Sequence, residues 1–224
     1  MSSRPIKCLW MEATRIIAVR HGETSWNVDS RIQGQKDIEL NDTGRWQASR
    51  VGAALKGEKI SAVYSSDLGR AHQTAQPIAA AAGIPVIANE GLRERSFGIF
   101  EGKTFDEIRE TWPDHALNWR KRLPEWAPPE GGESLLQLRE RVTQTMKDLA
   151  ARHPGEQIVV VAHGGVLDTL YRIATGQEVN SPRTWQLPNG AINRLLWTPQ
   201  GFTLVGWSDT QHLDDEPTDE NTSF

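Results

Sequence analysis

Apolar residues fall in short β-branched runs, separated by stretches with helical spacing. Ile16, Ile17, Ala18 and Val19 form one run, residues 60–66 (ISAVYSS) a second, and residues 84–88 (IPVIA) a third. The most apolar is 157–162 (QIVVVA), which is expected to be central. Continuous apolar runs of this length suit strands covered on both faces. Between them, Asn41 or Asp42 serves as a helix cap ahead of Trp46, Val51 and Leu55. Asp67 is read as the cap of a helix that stops at Gly83. Helical spacing returns over 104–122, from about Glu133 to Arg152, and in the VLDTLYRIATG stretch after His163. Two last strands, 190–197 and 202–207, close the sheet. This alternation predicts an α/β fold, a three-layer α/β/α sandwich with a mostly parallel central sheet.

With 224 residues the chain is long enough for one sizeable core. Residues 1–14 read as an N-terminal extension, 15–208 as the domain, and 209–224 as an acidic, flexible tail poor in apolar residues. A net charge of −4 supplies no basic field for nucleic acid or an acidic membrane surface. No apolar run approaches the roughly 20 residues that span a bilayer. The single cysteine, Cys8, permits no internal disulfide, and a reducing, cytoplasmic setting is expected. Nine tryptophans are many for this length, and they follow no repeat. Trp112, Trp119 and Trp126 leave three readings open: a homodimer interface, a lining of the substrate mouth, or packing against the helices.

The chemistry collects at strand ends. The first strand runs into Arg20-His21-Gly22 and the central one into His163-Gly164-Gly165. If both strands are parallel, both imidazoles emerge at the carboxyl edge of the sheet, where open α/β sheets bind ligands. Glycine after each histidine lets the backbone turn and lets a ligand approach closely. Arg70, in the first turn of the helix after the second strand, faces the same edge. Two arginines with two imidazoles make a cationic pocket in an acidic chain, suited to a compact dianion such as a phosphoryl group. No HExxH, DxD or CxxC pattern points to a metal. The expectation is a mechanism without metal or cofactor, acting on a small phosphorylated metabolite.

The segments RHGETSWN (20–27), RIQGQKDIELNDTG (31–44), SSDLGRAHQTA (65–75), LRERSFGIFEG (92–102), PPEGGES (128–134) and VVVAHGGV (159–166) occur in order. Together they resemble the histidine phosphatase superfamily, which includes cofactor-dependent phosphoglycerate mutase. The resemblance implies that His21 is a nucleophile carrying the phosphoryl group. It makes Arg20, Arg70 and His163 the cradle for the phosphoryl oxygens, and Glu94 the acid that protonates the leaving oxygen. Asn27 corresponds to a further phosphate contact, the Gln33-Gly34 turn to a loop over the substrate mouth, and Gly164 to a close backbone approach.

Within that resemblance, the sequence favours hydrolysis over phosphoryl transfer between positions of phosphoglycerate. Mutases of the family carry a tyrosine and a lysine where this chain has Phe97 and, nearby, Phe105. They also carry a long insertion where this chain has only PPEGGES. Against this, NWRKR (118–122) resembles a basic mutase element, which makes Arg120 and Lys121 candidates for a second anion. The alternatives are a mutase primed by 2,3-bisphosphoglycerate, and a binding module for phosphorylated ligands.

Overall fold

The computed structural model describes residues 12–214. Expectations for residues 1–11 and 215–224 lie outside that range. One six-stranded sheet has the order β3-β2-β4-β1-β5-β6. Strands β1 (Thr14–Arg20), β2 (Ala62–Ser65), β3 (Val86–Ala88) and β4 (Gln157–Ala162) pair in parallel, while β5 (Ile192–Thr198) and β6 (Gly201–Asp209) run antiparallel. Every residue of β4 is buried, as its unbroken apolar run demands of a strand flanked on both edges.

Alternate residues of the central strands feed two separate cores. Ile16, Ala18, Ile158 and Val160 pack against α6 (Leu135–Ala150) and α7 (Gly164–Thr175) on one face. Ile17, Val19, Val159 and Val161 pack against α2 (Asp42–Ala54) and α3 (Gly69–Ala82) on the other. The period-2 alternation of strand side chains thus builds the α/β/α layering directly. A short helix α1 (Ser25–Val28) follows β1.

Two expectations change. The run 84–88 shortens to β3 at the sheet edge, where Ile87 is exposed, because no strand covers its outer side. Asp67 does not cap α3. The N-cap is Leu68, which has no side-chain acceptor, and Asp37 reaches in from a distant loop to accept from the Gly69 N–H at 2.7 Å. Asp67 is taken up instead by the Arg93 guanidinium at 2.8 Å. Hydrogen bonds also continue just outside 15–208 at both ends. Thr14 donates from its hydroxyl to the Ala150 and His153 carbonyls. At the other end β6 runs to Asp209, and a 3₁₀ turn at Gln211–Leu213 pins itself through His212 Nε2 to the Gly190 carbonyl at 3.0 Å.

A third, smaller cluster shows what the three tryptophans pack against. Residues 104–122 form α4 (Phe105–Thr111) and α5 (Pro113–Arg120), and together with the loop through 126 they wrap the fully buried Phe100. Trp112, Trp119 and Trp126 ring it at centroid separations of 5.8, 5.6 and 6.2 Å. The rings act as the lid region's own core. Phe100→Ala should therefore cost about 3–5 kcal/mol of stability. It should also collapse much of the near-ultraviolet circular dichroism, as read by urea titration followed at both fluorescence and dichroism. A loss under about 1 kcal/mol would show that the cluster contributes little.

Candidate active site

The parallel register of β1 on β4 assembles the centre. Arg20 lies opposite Ala162, and the His21 N–H donates to the Ala162 carbonyl at 3.0 Å, so His21 and His163 leave the sheet side by side. Their rings lie 5.1 Å apart between centroids. His21 is 3% exposed and His163 fully buried.

His21 Nδ1 lies 2.7 Å from the carbonyl oxygen of Gly22, which only accepts. The proton therefore sits on Nδ1 and the lone pair on Nε2. Burial holds His21 well below the usual histidine range, helped by the charge of Arg70 and then of Arg20. His163 is pushed down in the same way, by burial first and then by Arg70, His21 and Arg20. Neither ring nitrogen of His163 has a hydrogen-bond partner.

The arginines are oriented by backbone carbonyls. Arg20 Nη1 donates to the Leu187 carbonyl, and Arg70 gives Nη1 to Lys36 O and Nη2 to Gly34 O, both at 2.8 Å. Each keeps a buried Nε–H with no partner, and Gln33 Oε1 is likewise unpaired. Desolvation lowers the Arg20 pKa to about 10 and lowers that of Arg70 too, against the pull of Glu94 on both. Buried donors rarely go unmatched. Orphaned N–H groups on two arginines beside an imidazole form a lining that an anion's oxygens would satisfy.

Glu94 stands at the start of α7, close enough for its charge to act on Arg20 and Arg70. Its two oxygens accept from the Gly165 N–H at 3.1 and 3.0 Å, and Oε1 also from the Arg95 N–H at 2.7 Å. A β-carbon on Gly165 would lie 2.3 Å from Glu94 Oε1, so the approach requires glycine. A β-carbon on Gly164 would stand 3.8 Å from both Arg20 Nε and Glu94 Oε2, which puts that residue between the cation and the carboxylate.

Asn27 sits at the edge of this group. Its Oδ1 accepts from the Thr24 N–H at 3.1 Å in the capping box of α1, and from Asn189 Nδ2 at 3.3 Å. The same Asn189 nitrogen donates to the His21 carbonyl at 2.9 Å. Glu23 accepts from Asn41 Nδ2 at 2.8 Å. Arg120 and Lys121 are exposed at the end of α5.

Three supports escaped sequence reading. Glu101 Oε1 accepts from the Gln35 and Phe97 N–H groups, both at 3.0 Å, and fills the space a side chain on Gly34 would need. Gly34 has φ +52°, in the left-handed region that favours glycine. Arg141 donates to the Gly91 and Arg93 carbonyls and is itself held by Glu133 at 2.8 Å. Leu187 O and Asn189 come from the loop before β5. The sole hint in the sequence was that Glu101 closes the SFGIFEG segment.

Among the described residues, no group of three or more His, Cys, Asp or Glu side chains is arranged to hold a metal ion. No helix among them is long and apolar enough to cross a membrane.

The model of the histidine phosphatase superfamily (branch 1) matches residues 16–210. The chain is 40% identical over 208 residues to the phosphoglycerate mutase-like protein 4 of Arabidopsis thaliana, covering 92% of this chain and 89% of that one. It is 38% identical over 204 residues to the metal-independent phosphoserine phosphatase of the same plant, covering 90% and 84%. The solved structure of Bacillus stearothermophilus YhfR superposes with a TM-score of 0.82 at 32% identity, over 90% of this chain and all of that one.

The depressed histidines carry a stability consequence. Both stay neutral in the folded chain at pH values where an unfolded histidine, with a pKa near 6.5, already takes up protons. The unfolded state binds the extra protons, so this contribution is complete above about pH 6.5 and is lost as pH falls below it. Each group should steepen the loss toward about 1.4 kcal/mol per pH unit. Urea midpoints in phosphate-free buffer at pH 7.5, 6.5 and 5.5 should fall in that order, and less steeply for His163→Gln. A midpoint independent of pH would contradict the neutral, buried pair.

Proposed function

Because the chain belongs to the histidine phosphatase superfamily, we propose that it is a phosphatase hydrolysing small phosphomonoesters through a phosphohistidine on His21. The carrying observation is a free Nε2 lone pair on His21, fixed by the Nδ1–H bond to Gly22 and flanked by unpaired Arg20 and Arg70 Nε–H groups.

His21 Nε2 attacks phosphorus, and the bond from phosphorus to the ester oxygen breaks on the opposite side. Acting as the general acid, Glu94 gives a proton to the departing alkoxide. Arg20, Arg70 and His163 match the charge that spreads over the three phosphoryl oxygens. Preorganised donors in a dry pocket contribute about 3–4 kcal/mol each in comparable sites. Water then attacks the phosphohistidine while the Glu94 carboxylate takes its proton, releasing inorganic phosphate and restoring both groups. Protein cations carry the charge in every step.

A mutase reading draws on the names of relatives, among them the phosphoglycerate mutase-like protein 4 and the probable phosphoglycerate mutase GpmB of Escherichia coli. Hydrolysis is favoured by Phe97 and Phe105, which pack against Trp119 at 5.3 and 5.8 Å between ring centroids and offer neither a hydroxyl nor a charge to a second end of the substrate. A pure binding module has no use for a nucleophile with its lone pair held free and a carboxylate facing it.

Two variants test the assignment. His21→Ala should remove turnover while circular dichroism stays unchanged, and more than a few per cent of residual rate would rule out the phosphohistidine. Glu94→Gln should slow alkyl phosphates about 10²–10⁴-fold but p-nitrophenyl phosphate far less, since its leaving group hardly needs a proton. Equal losses on both substrate types would remove Glu94 from the acid role.

A further inference from the structure

Glu94 has no regular element of its own. It lies between two 3₁₀ turns, Glu90–Leu92 and Gly98–Phe100, and residues 93–97 belong to no helix or strand. A proton donor carried on such backbone has to be fixed from outside. Upstream of Glu94 the anchor is Arg141, on α6. Its Nη1 donates to the Gly91 and Arg93 carbonyls at 3.0 and 2.8 Å, and its Nη2 reaches the Glu94 carbonyl at 3.5 Å. Nε and Nη2 close on Glu133 Oε1 and Oε2 at 2.8 and 2.6 Å. A guanidinium has five N–H donors, and here every one has an acceptor.

Glu133 holds the downstream side. Its carbonyl accepts from Arg95 Nε at 2.6 Å, and its N–H donates to the Ser96 carbonyl at 2.9 Å. The Arg95 N–H in turn donates to Glu94 Oε1 at 2.7 Å. Residues 91, 93 and 94 are thus gripped by Arg141, and 95 and 96 by Glu133, with the carboxylate between them. The bidentate ion pair joins the two grips. Its side chains are 24% and 15% exposed, so water weakens it only in part. The segment has no slack against α6, because a β-carbon on Gly91 would lie 2.3 Å from Thr145 Oγ1. That helix is itself rooted by Leu138, Val142, Met146 and Leu149 in the core of its face of the sheet.

The phosphoryl cradle is supported elsewhere. Arg20 and Arg70 are oriented by the Leu187, Lys36 and Gly34 carbonyls, on other loops. We infer that the Arg141–Glu133 pair is the positioning element of the general acid, holding the Glu94 carboxyl where it meets the departing ester oxygen and taking no part in binding the phosphoryl group. This role rests on the phosphatase reading and deepens it, because it gives leaving-group protonation a support separate from that of phosphoryl capture. A displacement of about 1 Å at a reacting group can cost about 10²-fold in rate. Arg141→Lys keeps the charge that helps to hold His163 down, but leaves three donors in place of five and no planar fork. Glu133→Gln keeps the grip of its backbone on Arg95 and Ser96, but turns an NH₂ group toward a guanidinium that needs two acceptors.

The test is kcat/KM of the full chain on phenyl, p-chlorophenyl and p-nitrophenyl phosphate, which keep one shape while the leaving phenol becomes more acidic. kcat/KM covers the steps through departure of the phenol, so later hydrolysis of the phosphohistidine does not enter. Arg141→Lys and Glu133→Gln should each slow phenyl phosphate at least about tenfold and p-nitrophenyl phosphate less than about threefold, steepening the dependence on the leaving group as Glu94→Gln does. The Ki of inorganic phosphate, which reads the cradle, should stay within about threefold of wild type, since the arginine forks that bind phosphate are untouched. The double variant should be no slower than the poorer single one, as residues acting as a unit are not additive. Should Arg141→Lys fail to fold, Glu133→Gln carries the same comparison. Equal losses across the series are what a merely structural role gives, and they would overturn the inference, as would no loss at all or a double variant whose losses multiply. If Glu94→Gln itself slows the whole series equally, the acid assignment fails and the inference with it. If the wild-type chain hydrolyses none of the three, the phosphatase reading is overturned first.

Discussion

The pairing of β1 with β4 is the constraint on which the centre depends. Arg20 opposite Ala162 is one register of several that two apolar strands might adopt, but it alone brings both histidines to the same level of the sheet edge. A slip by one residue would turn Ile16 and Ile17 to the wrong cores and carry His21 away from His163. The two hydrophobic layers thus hold the imidazoles in place, and the chemistry inherits its geometry from packing. The β-bulge irregularities of β5 against β6 lie beyond this pair and leave it undisturbed.

Burial then sets the electrostatics. Arg70 and His163 are fully buried and His21 nearly so, so each charge is felt at short range with little water to weaken it. The arginines are oriented by the Leu187, Lys36 and Gly34 carbonyls, and the histidines are held neutral by burial first and by the arginine charges second. A site so arranged is costly to fold and ready for an anion.

The carboxylate side is built differently. Glu94 rests on a loop, and loops need anchoring from outside. Arg141 on α6 ties that loop through three backbone carbonyls, with Glu133 holding the arginine in turn. Glu101 draws the Gln33–Gln35 turn and the Phe97 segment together. The aromatic cluster around Phe100 braces the same region from behind, so the helices carrying Arg122 are positioned by packing remote from the reacting atoms.

What the residues alone made legible was whatever depends on local pattern. Strand runs, the central place of 157–162, the layered α/β class and the grouping of Arg20, His21, Arg70 and His163 at one edge all follow from side-chain periodicity and from the direction of parallel strands. The motif order then drew in Glu94, which no periodicity would have singled out. The misread cap at Asp67 and the anchoring of Arg122 share one cause. Each turns on a partner far along the chain: Asp37 for the α3 cap, Val179 and Asp168 for Arg122. A charged side chain can satisfy itself with any of several groups of the right sign, and the sequence lists them all at once. Only the packed layers bring one of them within three ångströms and leave the others in solvent, so the identity of each polar partner is decided by tertiary structure.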